Sequence, residues 1–153
     1  MSGSYFTVPF EMGRVVVHTS ANGSVTAIDF DLDDNYDEIR SGSRLSGDIK
    51  RYFKGERVHW DLDLDMNCET DFRRRVYERV FDIPYGQTAT YGDIASDIGS
   101  RGGARAVGQA MACNRFPLVV PCHRVVACNR GLGGFSSGLE LKRYLLCLEG
   151  NSI

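Results

Sequence analysis

The sequence contains no apolar run approaching the ~18 to 20 residues needed to cross a bilayer, so no transmembrane helix and no membrane partner are expected. Its first residues, Met1-Ser2-Gly3-Ser4-Tyr5-Phe6, lack the basic start and apolar stretch of a signal peptide, which predicts an intracellular protein, cytoplasmic or nuclear in a eukaryote. There is no Cys-x-x-Cys pair. The five cysteines (Cys68, Cys113, Cys122, Cys128 and Cys147) are odd in number, which argues against a disulfide framework in such a chain. Cys113, Cys122, His123 and Cys128 lie close in sequence, yet their spacing matches no common zinc template, and no metal is expected. Internal repeats and low-complexity segments are absent. What remains is ordinary: 153 residues, 42% hydrophobic and 25% charged, enough for one compact domain or two small ones and unlike a disordered, coiled-coil or collagen-like chain.

Acidic residues are missing altogether between Asp97 and Glu140, an interval that holds Arg101, Arg105, Arg115, Arg124 and Arg130. The net charge of −2 is unevenly divided. Residues 1–66 carry 12 acids against 7 bases, for −5, and residues 67–153 carry 8 acids against 11 bases, for +3. A positive stretch on an acidic protein suits a local anion-binding face, and equally a solvated basic surface.

The first half predicts a small sheet with one helix, a scaffold domain over 1–66. Residues 5–10, 14–19 and 25–30 are short β-branched and aromatic runs separated by Met12-Gly13 and Asn22-Gly23-Ser24, as in antiparallel hairpins. Residues 43–54 carry Leu45, Ile49, Tyr52 and Phe53 on one helical face, and 58–64 alternate apolar and polar residues as a strand would. The second half, 67–153, predicts helices. One starts near Thr70 and stops at Ile83 before Pro84. Thr90-Tyr91-Gly92-Asp93 fits a capping box opening a helix to Ile98. After the glycine-containing turn 99–103, residues 104–113 form a second short helix, giving the pattern of a helix-turn-helix. That helix is rich in small residues, which would let it lie close either to another helix or to a nucleic-acid groove, with Arg105 at its exposed end. Ser137-Gly138-Leu139-Glu140 fits another capping box, opening a helix over 139–149.

Chemistry concentrates in Pro121-Cys122-His123-Arg124-Val125-Val126. A cysteine beside histidine and arginine sits in an electropositive setting of the kind that lowers a thiol pKa from about 8.5. By itself Cys122 could equally be a small buried hydrophobe. Its companions are Asn114-Arg115-Phe116-Pro117 upstream and Gly133-Gly134-Phe135-Ser136-Ser137-Gly138 downstream.

Together with Ile83-Pro84-Tyr85-Gly86, Thr90-Tyr91-Gly92-Asp93-Ile94-Ala95 and Ala104-Arg105-Ala106-Val107-Gly108, this set resembles the O6-alkylguanine-DNA alkyltransferases from about residue 70 to 150. The N-terminal half resembles that family in layout only. The resemblance implies an α/β (α+β) fold: a ribonuclease H-like antiparallel sheet-plus-helix domain, then a mainly helical domain with the helix-turn-helix. It implies that Cys122 accepts the alkyl group, that His123 is its activating base through a water, and that Glu149 orients and charge-balances His123. Asn114 would brace the active-site turn and Tyr91 would donate a hydrogen bond or proton to the departing guanine. Met111, Val125, Phe135 and Ser136 would line the base pocket, with main-chain groups of Val125 and Ser136 reading the guanine edge. The implied partner is double-stranded DNA containing O6-alkylguanine, entered through the minor groove by a monomer. Arg105 would fill the place of the flipped nucleotide, Ala104 would approach the backbone, and Thr90 and Ser100 would face phosphates. Phe135 stands where many members of the family have tyrosine, so a hydroxyl contact is missing there.

This implies flipping, in-line attack by a thiolate and a thioether product with no second nucleophile to release it, hence one turnover and no cofactor. Three other readings compete. A lesion-binding alkyltransferase-like module would lack the acceptor cysteine, commonly having tryptophan there. A helix-turn-helix regulator would leave Cys122, His123 and Tyr91 idle. A cysteine hydrolase would need a histidine separate in sequence from its cysteine.

Overall fold

The structure, a computed structural model, describes residues 3–129 and 131–152; Arg130 lies outside the described residues. It is a mixed α/β molecule whose chain divides into two compact units, Met1–Asn67 and Cys68–Ile153.

In the first unit β1 (Ser4–Phe10), β2 (Gly13–Thr19) and β3 (Val25–Asp31) form an antiparallel sheet in the order β1-β2-β3. In the central strand Val15, Val16 and Val17 are all fully buried, so both faces of β2 are covered there. Helix α1 (Arg44–Phe53) is capped by the Ser43 hydroxyl, which accepts from the Ser46 N–H, and it buries Ile49 and Tyr52. Each such side chain contributes about 1.5–3 kcal/mol on burial. Phe53 stacks on Phe10 at 4.4 Å between ring centroids. The segment 58–64 does not form the expected strand. Its alternation of half-buried and exposed residues is there, but only Leu64 pairs, through a parallel bridge to Val25. An alternating pattern needs a free strand edge to become a ladder, and this segment reaches one only at its last residue.

The second unit begins with α2 (Asp71–Phe81), capped by Thr70. The helix ends at Phe81, not Ile83, because its last N–H bonds tighten: Asp82 donates to the Arg79 carbonyl and Ile83 to that of Val80. Strand β4 (Ala89–Thr90) runs directly into α3 (Tyr91–Asp97), where Thr90 and Asp93 make the predicted capping box. The turn 98–103 leads to α4 (Ala104–Ala112), which packs against α3 and completes a helix-turn-helix. A 3-10 turn, Cys122–Arg124, enters β5 (Val125–Val126), which pairs in parallel with β4 as Ala89↔Val125 and Thr90↔Val126. That two-rung ladder sets Tyr91, the residue after β4, beside Cys122, three residues before β5. The last helix, α5, spans Leu139–Leu148. Its start departs from the expected capping box: Ser137 sits in a turn closed by Gly138 N–H to the Phe135 carbonyl, and Gly138 takes the cap position at φ 104 with no side-chain cap. Among the described residues no helix is long and apolar enough to cross a membrane.

Thr90→Ala removes the hydroxyl that accepts from Asp93 N–H at 3.0 Å. We expect a loss of about 1 kcal/mol in the stability of the second unit, read by urea unfolding.

Candidate active site

The site is assembled from several segments of the second unit, and its lower half is an ionic network. Glu149 caps α5 and is 5% exposed. The helix stops there because Gly150 turns into the left-handed region at φ 95, with Asn151 N–H returning to the Leu146 carbonyl. The Glu149 carboxylate accepts from His123 Nε2 at 2.8 Å, from Arg124 Nε at 2.8 Å and Nη2 at 2.9 Å, and from Gly86 N–H at 3.2 Å. Arg124 also donates to the Ile83 carbonyl at 2.7 Å. Ile83-Pro84-Tyr85-Gly86, a block without an assigned role in the sequence, is thus the segment that completes this network; Tyr85 adds a hydrogen bond to the Leu148 carbonyl.

These contacts fix the protonation states. Burial would raise the Glu149 pKa, but the hydrogen bonds and charges of His123 and Arg124 outweigh it and hold the carboxyl well below the usual range. An ionised carboxylate only accepts, so His123 donates from Nε2 and its neutral ring keeps the acceptor lone pair on Nδ1, which is itself buried. Burial of the ring is also the main reason that the His123 pKa lies below its ordinary value.

Cys122 behaves differently from the sequence expectation. All five cysteines are free thiols, but Cys122 is buried and the other four are exposed. Burial pushes its thiol up rather than down, opposed by a hydrogen bond from Asn114 and by the charge of Lys142. Low dielectric penalises the thiolate more than the cationic neighbours favour it. The resting thiol therefore holds its proton until a base takes it. Asn114 braces the approach to Cys122: its Nδ2 donates to the Val120 carbonyl at 3.0 Å and its Oδ1 accepts from Phe116 N–H at 2.9 Å.

Above Cys122 lies a cavity of about 80 Å³ lined by Tyr91, Gly108, Met111, Ala112, Cys122, Gly134, Phe135 and Ser136. Four of the sequence-predicted residues, Tyr91, Met111, Phe135 and Ser136, meet here with the cysteine. Val125 does not line it. Its N–H donates to the Cys122 carbonyl and its own carbonyl accepts from Lys142 Nζ at 2.6 Å, so its main-chain groups are engaged in holding the turn. Tyr91 Oη exchanges hydrogen bonds with Gly134, accepting from its N–H at 3.2 Å and lying 3.4 Å from its carbonyl. Burial keeps the phenol pKa above its ordinary value, so Tyr91 is a proton-bearing donor.

The same wall opens into a shallow groove lined by Tyr91, Ala104, Arg105, Gly108, Gln109, Ala112 and Gly134. Ala104 and Arg105 stand at its far side, with Arg105 exposed. Thr90 is committed to capping α3, and Ser100 sits in the 98–103 turn, accepting Gly103 N–H on its carbonyl. Neither touches the cavity. Among the described residues no group of three or more His, Cys, Asp or Glu is placed to hold a metal ion.

Two further residues hold the site together: Arg124, which in the sequence is only a nearby charge, and Lys142, to which the sequence assigns no role. A lysine at 142 falls three, four and seven residues before Leu145, Leu146 and Glu149, on the buried stripe of α5. A charge on an apolar stripe was the available signal.

Gly133 closes the roof. It stands at φ 72, and a Cβ there would lie 2.6 Å from Tyr91 Oη. We expect Gly133→Ala to cost on the order of 1–3 kcal/mol in urea unfolding and to displace Tyr91 from Gly134, because neither the backbone angle nor the contact tolerates the methyl.

Fold and site together define a helix-turn-helix protein with a buried cysteine, histidine and glutamate beneath a small cavity. Residues 71–151 match the family described as "6-O-methylguanine DNA methyltransferase, DNA binding domain". The chain belongs to that family. A methylated-DNA–protein-cysteine methyltransferase of Mycobacterium tuberculosis is 46% identical over 101 residues, covering 66% of this chain and 61% of the relative, so the match spans less than two thirds of that protein. One of Haemophilus influenzae is 34% identical over 97% of this chain and 88% of its own length. A solved structure of a Mycobacterium tuberculosis relative in complex with DNA superposes with a TM-score of 0.83 at 35% identity, covering 95% of this chain and 91% of that one.

Proposed function

We propose that this protein is a suicide DNA repair alkyltransferase that takes O6-alkylguanine, above all O6-methylguanine, from duplex DNA and moves the alkyl group irreversibly to Cys122. The observation that carries this is a single cavity bounded by Cys122, Tyr91, Met111, Phe135 and Ser136, backed by the His123–Glu149 pair and opening onto the Arg105 groove.

The chemistry follows from the geometry. Duplex DNA docks by its minor groove on α4, whose small residues admit close approach, and Arg105 enters the stack as the damaged base leaves it, at a cost of a few kcal/mol in unstacking. Ala104 lies against the backbone, and Thr90 and Ser100 face phosphates. In the cavity, Phe135 supplies an aromatic wall and Ser136 a main-chain contact to the guanine edge. His123 Nδ1 takes the Cys122 proton through a water, and Glu149 balances the imidazolium. The sulfur attacks the alkyl carbon in line, the carbon–O6 bond breaks, and guanine leaves as its anion or protonated by Tyr91. The thioether sulfur is a poor leaving group, so each monomer acts once and needs no cofactor. Such repair places the protein with the chromosome, in the cytoplasm or a eukaryotic nucleus.

Mixing the protein with duplex DNA carrying one O6-methylguanine, followed by intact mass and peptide mapping, tests this. We expect a gain of one methyl group, confined to Cys122 and saturating at one per protein. Tight lesion binding with no mass change would favour the alternative, a lesion-binding module without repair.

A further inference from the structure

We infer that Gln109 makes the repair sensitive to the sequence around the lesion: its carboxamide reads the minor-groove edge of a base pair beside the flipped nucleotide and favours G·C there over A·T. The inference rests on the minor-groove docking proposed above.

The face of α4 that lines the groove carries Ala104, Arg105, Gly108, Gln109 and Ala112. Three of these have side chains no larger than a methyl group, so Arg105 and Gln109 are the two that reach beyond the helix surface. Residues four apart share one side of a helix and lie about 6 Å apart along its axis. Gln109 therefore stands one turn past the Arg105 wedge, a span of about two base steps of 3.4 Å. Both residues are exposed, and among the described residues neither side chain has a hydrogen bond or ion pair. Tyr91, the other polar side chain of the groove, is engaged with Gly134.

The two long side chains differ in one respect that matters in a minor groove. A guanidinium only donates, whereas a carboxamide both donates and accepts. In α4, Ala-Arg-Ala-Val-Gly-Gln-Ala-Met-Ala, the Gln109 Oε1 is the sole side-chain oxygen. The minor-groove edge of every base pair shows acceptors, and its one donor is the 2-amino group of guanine. That donor suits that oxygen. Beside a G·C pair, Oε1 accepts from the amino group while Nε2 donates to a neighbouring acceptor. Beside an A·T pair, Oε1 faces acceptors alone and is left unpaired where the docked duplex excludes water, which weakens the complex.

The test uses O6-methylguanine duplexes in which the two pairs on each side of the lesion are changed one at a time among G·C, inosine·C, A·T and 2,6-diaminopurine·T. Inosine deletes only the 2-amino group, and diaminopurine adds it to an A·T pair. Binding isotherms and single-turnover methyl transfer at sub-saturating protein are read on each. At one of these positions the change from G·C to inosine·C should weaken wild type about fivefold in both readouts, the lower end of what one good bidentate contact discriminates. The change from A·T to diaminopurine·T should strengthen it by a similar factor. Gln109→Met keeps the length and helix propensity of an exposed side chain and loses the carboxamide. It should retain only the difference that pairing strength produces, so comparing the two proteins isolates the contact.

Equal G·C to inosine·C ratios in wild type and Gln109→Met at every position would overturn the inference. Full methyl transfer with equal ratios would leave the repair reaction standing without it. A preference seen in wild-type binding but absent from Gln109→Met, with no methyl accepted, would support the inference and remove the reaction. Failure to bind any of the duplexes would overturn both.

Discussion

Replacing Cys122 by serine should abolish alkyl acceptance while leaving DNA affinity intact. The hydroxyl is nearly the size of the thiol and enters the same cavity, so the helix-turn-helix and the groove beside Arg105 are undisturbed. What is lost is acidity and nucleophilicity: the base that removes a thiol proton cannot usefully remove that of an alcohol. Losses on the order of 10⁴-fold or more follow when the nucleophile of an assembled relay is removed, and here no exposed cysteine can stand in. Single-turnover transfer from an O6-methylguanine duplex, alongside a binding isotherm, separates the two quantities. Residual transfer near the wild-type rate would move the acceptor elsewhere.

Glu149→Ala should be the most destabilising single change in the second unit. The carboxylate receives Arg124 in a two-pronged contact and His123 on the same side, all of them buried. Deleting it leaves an uncompensated buried guanidinium, a loss of about 3–5 kcal/mol. Urea unfolding reads this directly, and Glu149→Gln should recover part of it by keeping two hydrogen bonds. Acid reaches the same network by a different door. The unfolded chain protonates its histidine near pH 6.5, whereas burial holds folded His123 below that value. Below about pH 6.5 the unfolded state therefore binds more protons, and the stability contributed by the buried neutral ring is lost as pH falls. Glu149 contributes at these pH values too, since its depressed pKa defers its own loss to much stronger acid. A urea midpoint that falls between pH 7 and pH 5.5 in wild type, and falls less in His123→Asn, is the expected result.

Much of this was visible in the chain. Thr90 and Asp93 announced the start of α3 because a capping box is a local device, complete within four residues. Cys122, His123 and Asn114 were legible for the same reason: they lie on one short segment. The segment 58–64 misled because alternation records exposure but not the presence of a partner strand. Ser137 misled because the Phe135–Gly138 turn had already claimed its backbone. The sequence suggests a lowered thiol pKa where burial raises it, because adjacent residues display charge and hide burial. The sequence does not show that Val125 is tied to Lys142: the contact joins residues 17 apart, and only the folded α5 shows that a lysine has taken an apolar position.

Three of the eight cavity-lining residues, Gly108, Ala112 and Gly134, have side chains no larger than a methyl group. At the two glycines a substitution can only subtract room, so there the range of alkyl groups can be narrowed but not widened; the large side chains that trimming would shorten are Met111, Phe135 and Tyr91. Phe135 is the freest of the three, since Tyr91 is tied to the roof and Met111 is rooted in α4. Selection for bulkier lesions would be expected to leave its mark there first.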